Sequence, residues 1–199
     1  MADDDEYSTI DYWNKKYQKP SEYDWILPYE KLKPYLGGIL NQQQKILVTG
    51  CGNSTMSSKM YEDGFKNIVN IDFSDVVIQQ MKDRYKKLDM MEWQIMDVRK
   101  MSFADDEFDI TLDKCTIDAL ACFENPDETI QEALNEYSRV TKPNGKILII
   151  SFGQIPDRVP LFNPETRCSW KYEGFIRLPF EIAPQSYYYI YILSKSCDC

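Results

Sequence analysis

The chain has 199 residues, enough for one domain with a sizeable core, and carries 32 Asp and Glu against 23 Lys and Arg. The resulting formal charge of −9 argues against a nucleic-acid backbone as partner, because neutralising phosphates requires a basic face. Six cysteines without a Cys-x-x-Cys pair, and no histidine at all, remove the spacing of a zinc site and the commonest metal ligand.

Aromatic residues are plentiful, with 14 Tyr, 9 Phe and 4 Trp. No apolar run approaches the ~18 to 20 residues of a membrane span, and the acidic first residues are the reverse of a signal or transit peptide. The expectation is a cytoplasmic monomer with reduced thiols and no membrane partner. The tail Cys197-Asp198-Cys199 reads as exposed, and Asn53-Ser54-Thr55 as a chance match to a glycosylation sequon.

Residues 1 to 7 look frayed. Ser8-Thr9-Ile10-Asp11 then has the hydroxyl and carboxylate of a helix start, with Ile10, Trp13 and Tyr17 on one face and Pro20 as its end. Tyr23-Asp24-Trp25 falls in a loop. Pro28 opens a second helix whose Tyr29, Leu32, Tyr35 and Leu36 make an apolar stripe closed by Gly37-Gly38. Both helices precede the first strand, so residues 1–44 are expected to cap a core of residues 45–199.

Lys45 to Thr49 is a first strand, and it breaks at Gly50-Cys51-Gly52. A helix near Ser54 to Asp63 follows, then strands at Ile68 to Asp72, Met91 to Met96 and Phe108 to Leu112, with a helix around Val76, Val77 and Met81 between the first two of these. Thr116 to Phe123 and Pro126 to Val140 read as helical, Pro143-Asn144-Gly145 as a turn and Lys146 to Ser151 as a fifth strand. Trp170 to Leu178 and Tyr187 to Lys195 add two strands with no helix between them. The alternation implies right-handed crossovers and an α/β, three-layer, doubly wound Rossmann-like sandwich. Its mostly parallel seven-stranded sheet finishes with an antiparallel C-terminal strand.

In such a sheet a ligand lies outside the carboxyl ends of the strands. Gly50 and Gly52 follow strand one, Asp72 strand two, Asp97 strand three and Asp113-Lys114 strand four, all on that rim. Asp72 falls about twenty residues past the glycines, where a carboxylate can accept from both ribose hydroxyls. A nucleoside-bearing ligand is therefore expected. Each aspartate read alone is equally a helix N-cap.

Two ligand classes compete. A nicotinamide dinucleotide wants a third glycine and a proton donor, whereas the turn continues Asn53-Ser54-Thr55 and the Tyr-x-x-x-Lys pairs, Tyr12 with Lys16 and Tyr191 with Lys195, sit away from such a role. S-adenosylmethionine carries no phosphate and tolerates a shorter turn, and Asp97 suits its adenine amino group.

On these residues the sequence resembles the class I, seven-stranded S-adenosylmethionine-dependent methyltransferases. More narrowly it is similar to a methyltransferase-like family that includes lysine methyltransferases of translation elongation factor 1-alpha. The narrower likeness is carried by Asp11-Tyr12-Trp13-x-x-x-Tyr17, Tyr23-Asp24-Trp25, Leu47 to Ser54, Met96-Asp97-Val98-Arg99 and Leu112 to Leu120.

The resemblance implies that Gly50 and Gly52 cradle the methionine part of S-adenosylmethionine, Asp72 binds the ribose with Phe73 against the adenine, and Asp97 and the Val98 backbone read the adenine edge. It also puts Lys114 beside the cofactor and folds Trp13, Tyr17 and Trp25 over it. Thr49 departs from the pattern, since many class I enzymes carry a carboxylate there, and Cys115 stands where relatives often have glycine. The product would be S-adenosylhomocysteine. The acceptor implied is a lysine of a protein such as elongation factor 1-alpha, with Asp113 and Asp118 as catalytic candidates to orient its amine. A small-molecule methyltransferase and a catalytically silent cofactor-binding or scaffold module are the alternatives.

Overall fold

The computed structural model describes residues 7–19, 21–162, 170–179 and 186–195. The expectations for residues 1–6, for Pro20 as a helix end and for the Cys197–Cys199 tail lie outside the described residues.

Helix α1 (Ile10–Tyr17) starts where Thr9 accepts the backbone N–H of Tyr12, and its first and last turns hold Asp11 and then Lys15 and Lys16, matching the helix dipole at both ends. Helix α2 (Tyr29–Leu36) follows Pro28 and buries Tyr29, Leu32 and Leu36. Then come β1 (Ile46–Thr49), α3 (Met56–Glu62), β2 (Ile68–Asp72), α4 (Asp75–Arg84), β3 (Met91–Ile95) and β4 (Phe108–Lys114). The second half runs α5 (Thr116–Leu120), α6 (Pro126–Val140), β5 (Thr141–Ser151), α7 (Ile155–Arg158), β6 (Trp170–Pro179) and β7 (Tyr187–Lys195).

The seven strands form one sheet in the order β3-β2-β1-β4-β5-β7-β6. Strands β1 to β5 pair in parallel, whereas β7 is antiparallel to both β5 and β6, so six strands point one way and the C-terminal strand the other. Strand order reverses between β1 and β4, which is where an open parallel sheet leaves a crevice at its carboxyl edge.

Alternate residues of the buried strands face two separate apolar layers. Ile46, Val48, Leu148 and Ile150 join Trp13, Tyr17, Leu32, Met56, Met60, Val77 and Met81 on one side. Leu47, Ile147 and Ile149 join Ile117, Ile130, Leu134 and Tyr137 on the other. The period of two in a strand thus sets helices α1 to α4 against one face and α5 and α6 against the opposite one.

Helix α1 is fixed to this frame by burial and by three side-chain bonds. Trp13 and Tyr17 are buried, worth on the order of 3 kcal/mol each by area removed from water. Ser74, which also caps α4, donates to Asn14 at 2.5 Å; Asn14 donates to Asp75 at 3.1 Å; and Gln80 donates to the Tyr17 carbonyl at 2.6 Å.

Two boundaries differ most from the sequence reading. Strand β5 begins at Thr141 rather than Lys146, because Thr141 pairs with Phe108 before the chain loops out and resumes pairing at Ile110 with Lys146. The expected turn at Pro143-Asn144-Gly145 is that outward loop, with Asn144 at φ 64°. Helix α5 closes at Leu120, short of the expected Phe123.

Candidate cofactor site

The carboxyl ends of β1, β2, β3 and β4, with residues of α1 and of the loop after it, enclose a cavity. Trp13, Tyr17, Trp25, Gly50, Gly52, Asp72, Phe73, Asp97, Val98 and Lys114 all line it. Every residue expected at a cofactor therefore shares one wall, whereas Asp113 is not part of it.

The two glycines are required by the chain's own packing. Gly50 and Gly52 have φ of 52° and 50°, left-handed values that L side chains rarely adopt. A Cβ on Gly50 would stand 2.2 Å from Thr116 Oγ1, and one on Gly52 would stand 2.8 Å from the Tyr17 hydroxyl. Thr116 is held there by donating to the Thr49 carbonyl at 3.0 Å. The turn is thus wedged between α5 and α1.

Asp72 is nearly enclosed. Its Oδ2 accepts the backbone N–H of Gly52 and its Oδ1 that of Ser74, both at 2.9 Å, so the β2 carboxylate ties the glycine turn to the start of α4. Burial pushes its pKa up to about 6, with the backbone donors pulling the other way. Each oxygen keeps a lone pair for a further donor, as ribose hydroxyls would supply.

Asp97 has a partner within the chain. Arg99 grips it with Nη2 at 2.6 Å from Oδ2 and Nε at 3.0 Å from Oδ1, and the Arg99 backbone N–H adds a bond at 2.9 Å. Partial burial works against the carboxylate, but the guanidinium outweighs it and holds the pKa below the usual range. An adenine amino group at this edge would share the carboxylate with Arg99, beside the Val98 backbone.

The departure at Thr49 has a structural counterpart. Thr49 is buried and turns its hydroxyl toward the Leu112 carbonyl, 3.4 Å away. The loop after α1 brings a carboxylate, Asp24, to the residues that follow the glycine turn, without lining the cavity itself. Asp24 accepts from Lys114 Nζ at 2.6 Å, from Thr55 Oγ1 at 2.7 Å and from the Ser54 hydroxyl. Burial alone would raise its pKa; Lys114 and the two hydroxyls reverse that and keep it low. The Tyr23-Asp24-Trp25 motif alone assigns Asp24 no partner, and the fold brings it to Lys114 at the end of β4.

The catalytic candidates fare differently. Asp113 is completely buried and spends its oxygens on the backbone N–H of Thr116 at 3.0 Å and the Tyr137 hydroxyl at 2.7 Å, below the cavity floor. Burial pushes its pKa up to about 7. It supports the start of α5 and is not among the residues that line the cavity. Asp118 does line the cavity, but its carboxylate accepts from Ser151 at 2.5 Å, the Phe152 N–H at 3.0 Å and Arg158 at 2.9 Å. With those donors in place it fastens the loop after β5 and sets the position of Phe152.

Residues outside the expected set complete the wall. Tyr7, Tyr23, Cys115 and Phe152 line the cavity, with Trp25 meeting Phe152 edge to face at a centroid distance of 6.4 Å. Cys115 has φ 68°, the conformation that a glycine would adopt without strain, which accounts for glycine as its alternative. Desolvation pushes the pKa of its partly buried thiol up, so it remains protonated at neutral pH.

Comparison with known proteins gives this geometry a context. The family described as Methyltransferase domain matches residues 40–174. The bovine eEF1A lysine and N-terminal methyltransferase is 38% identical over 155 residues, which is 75% of this chain and 22% of that protein. The bovine EEF1A lysine methyltransferase 4 is 33% identical over 156 residues, 73% of this chain and 61% of that protein. The chain therefore spans from about a fifth to under two thirds of the length of these relatives. Among solved structures, the N-methyltransferase NodS from Bradyrhizobium japonicum in complex with S-adenosylhomocysteine superposes with a TM-score of 0.69 at 13% identity, covering 94% of this chain and 98% of that one. A methyltransferase from Methanosarcina mazei gives 0.64 at 16% identity, covering 82% and 97%.

Proposed function

This chain belongs to the class I S-adenosylmethionine-dependent methyltransferase family, and from that premise we propose that it methylates a lysine side chain of a protein, with elongation factor 1-alpha as the acceptor. Relatives at 33 to 38% identity are named for lysine methylation of that factor. The observation that carries the reading is the composition of the cavity. Its floor of Gly50, Gly52, Asp72 and Val98 offers glycine cradle, carboxylate and backbone edge, and its mouth is walled by Tyr23, Trp25 and Phe152.

The donor set fits the cofactor in chemistry: a carboxylate with spare lone pairs at β2, a second at β3 and an aromatic ring at Phe73, while the two cations of the lining, Arg99 and Lys114, are each paired with a carboxylate. When bound, S-adenosylmethionine supplies an electrophilic methyl group on a sulfonium centre. The protein's part is alignment and exclusion of water. Asp72 would hold the ribose and Phe73 and Val98 the adenine, with Tyr17 and Trp13 closing over the glycine turn.

A lysine acceptor has a free pKa of ~10.4 and must shed a proton before its lone pair can attack. The rings that wall the mouth can seat the arriving ammonium, and the amine attacks only after its proton has passed to solvent. Asp118 acts in this scheme by holding Phe152 in that wall.

The test is incubation of the purified protein with methyl-labelled cofactor and purified elongation factor 1-alpha, followed by peptide mass spectrometry. Label on a lysine of the factor is the expected result. Label confined to small molecules, or none with cofactor bound, overturns the reading in favour of the corresponding alternative.

A further inference from the structure

Lys16 lies on α1, one residue before Tyr17, and although the residue is exposed its ammonium lies against a cluster of rings. The nitrogen is 4.3 Å from the centroid of Trp25, 5.1 Å from Trp13, 5.7 Å from Tyr12, 5.9 Å from Tyr7 and 6.0 Å from Tyr23. A cation within ~6 Å of a ring centroid is attracted by the ring quadrupole, and here five rings act on one charge. Other lysines of the same half of the chain pair with carboxylates, Lys33 with Asp63 and Lys59 with Glu62. Among the described residues no carboxylate pairs with Lys16, and burial alone moves its pKa, downward.

The cage is built and braced. Tyr7 packs on Tyr12 at 4.9 Å, Tyr12 meets Trp13 edge to face at 5.4 Å, Tyr23 meets Trp25 edge to face at 4.9 Å, and Trp13 Nε1 donates to the Tyr7 carbonyl at 2.8 Å. The sequence spreads these rings over residues 7 to 25, and only the return of the chain after α1 brings the two groups together. Tyr7, Trp13, Tyr23 and Trp25 each also line the cofactor cavity, so cage and cavity share walls. A ring cluster with no carboxylate partner among the described residues attracts an alkylammonium by its charge and by contact of its methylene groups with the ring faces.

We infer that this cage is a seat for an alkylammonium group, that Lys16 fills it in the unliganded protein, and that the lysine side chain of the protein acceptor displaces Lys16 when it docks. The inference rests on the lysine-methylation reading for the identity of the acceptor. The cage itself does not depend on catalysis. Lys16 is then a built-in competitor: every docking event must first expel a tethered copy of the group to be bound, which raises the acceptor concentration needed for half-saturation.

The experiment separates the two readings by using a probe that cannot be methylated. Tetramethylammonium chloride is titrated into the full chain while the Trp13 and Trp25 indole N–H signals are followed by NMR. Lys16→Ala should bind the probe about tenfold tighter than the wild type, whereas Lys16→Arg, which keeps a cation, should not. Trp25→Ala added to Lys16→Ala should abolish the tightened binding, with thermal melts showing that each variant is folded. Equal affinity in wild type and Lys16→Ala, or no shift at either indole, overturns the seat. With an elongation factor 1-alpha acceptor, Lys16→Ala should lower KM several-fold at unchanged kcat, and an unchanged KM overturns the displacement. If the wild type methylates no lysine, the lysine reading fails, while the tetramethylammonium titration still decides whether the cage is a cation seat.

Discussion

Lys114 Nζ stands 2.6 Å from Asp24 Oδ1, with the lysine side chain 5% and the aspartate 13% exposed, and this pair joins the loop after α1 to the carboxyl end of β4. Removing one partner of a withdrawn ion pair leaves the other charge uncompensated, at a cost of about 3 kcal/mol or more. Asp24→Asn and Lys114→Met should each lower urea stability by that order and weaken cofactor binding. The double variant should be more stable than either single one. Additive losses would show that the two charges do not depend on each other.

Asp72 titrates at about 6 in the free protein. A ligand that donates hydroxyls to the ionised carboxylate loses affinity as that group takes up a proton. Calorimetry should therefore give an S-adenosylmethionine affinity that is level above pH 7 and falls progressively below pH 6. Asp72→Asn should bind weakly with no such pH dependence, and a flat wild-type profile from pH 5 to 7.5 would remove Asp72 from the ribose.

Asp113 offers a second pH signature, this one in stability. Its pKa is about 7 folded against 3.8 for the model carboxyl. Between those values the folded chain binds more protons than the unfolded one, so this group's contribution to stability declines as pH rises from about 4 to about 7, and stays level above. Asp113→Asn retains an acceptor for the Thr116 N–H and cannot ionise. Its melting temperature relative to wild type should rise across that window, and parallel curves would show that Asp113 is charged throughout.

The glycine turn can be tested by paired substitutions. Gly52→Ala puts a Cβ 2.8 Å from the Tyr17 hydroxyl, and removing that oxygen in Tyr17→Phe should restore much of the lost cofactor affinity. Gly50→Ala meets Thr116 at 2.2 Å, and Tyr17→Phe should not help it. Left-handed strain and overpacking together predict a loss of about 3 kcal/mol for Gly50→Ala in urea unfolding.

Strands β1, β2 and β4 were legible because each is a buried, largely apolar run ending in a polar residue, and the rim residues Gly50, Asp72 and Asp97 were legible because strand ends can be counted. Asp113 follows the same rule yet lies under the floor. Its fate is set by Tyr137, 24 residues later on α6, and nothing local to Leu112-Asp113-Lys114 announces that partner. Asp24 is the converse case: it precedes the sheet in sequence but meets Lys114 across 90 residues. The extra length of β5 was hidden by Pro143-Asn144-Gly145, whose turn chemistry is real but produces a loop within a strand rather than its boundary.

The sheet order also governs how the molecule assembles. Strand β7 lies between β5 and β6, and all the ladder bonds that hold β6 run through it. During synthesis β6 emerges with no docking edge of its own, while the Leu148 to Ser151 edge of β5 stays uncovered until Tyr189 to Ile192 arrive. Closure of this half is a late, non-local event, with Lys146 and Ser194 joined across 48 positions of chain. Until then an open β5 edge is the segment most exposed to pairing with another chain, so chaperone dependence and aggregation in this protein should be most sensitive to changes in β7.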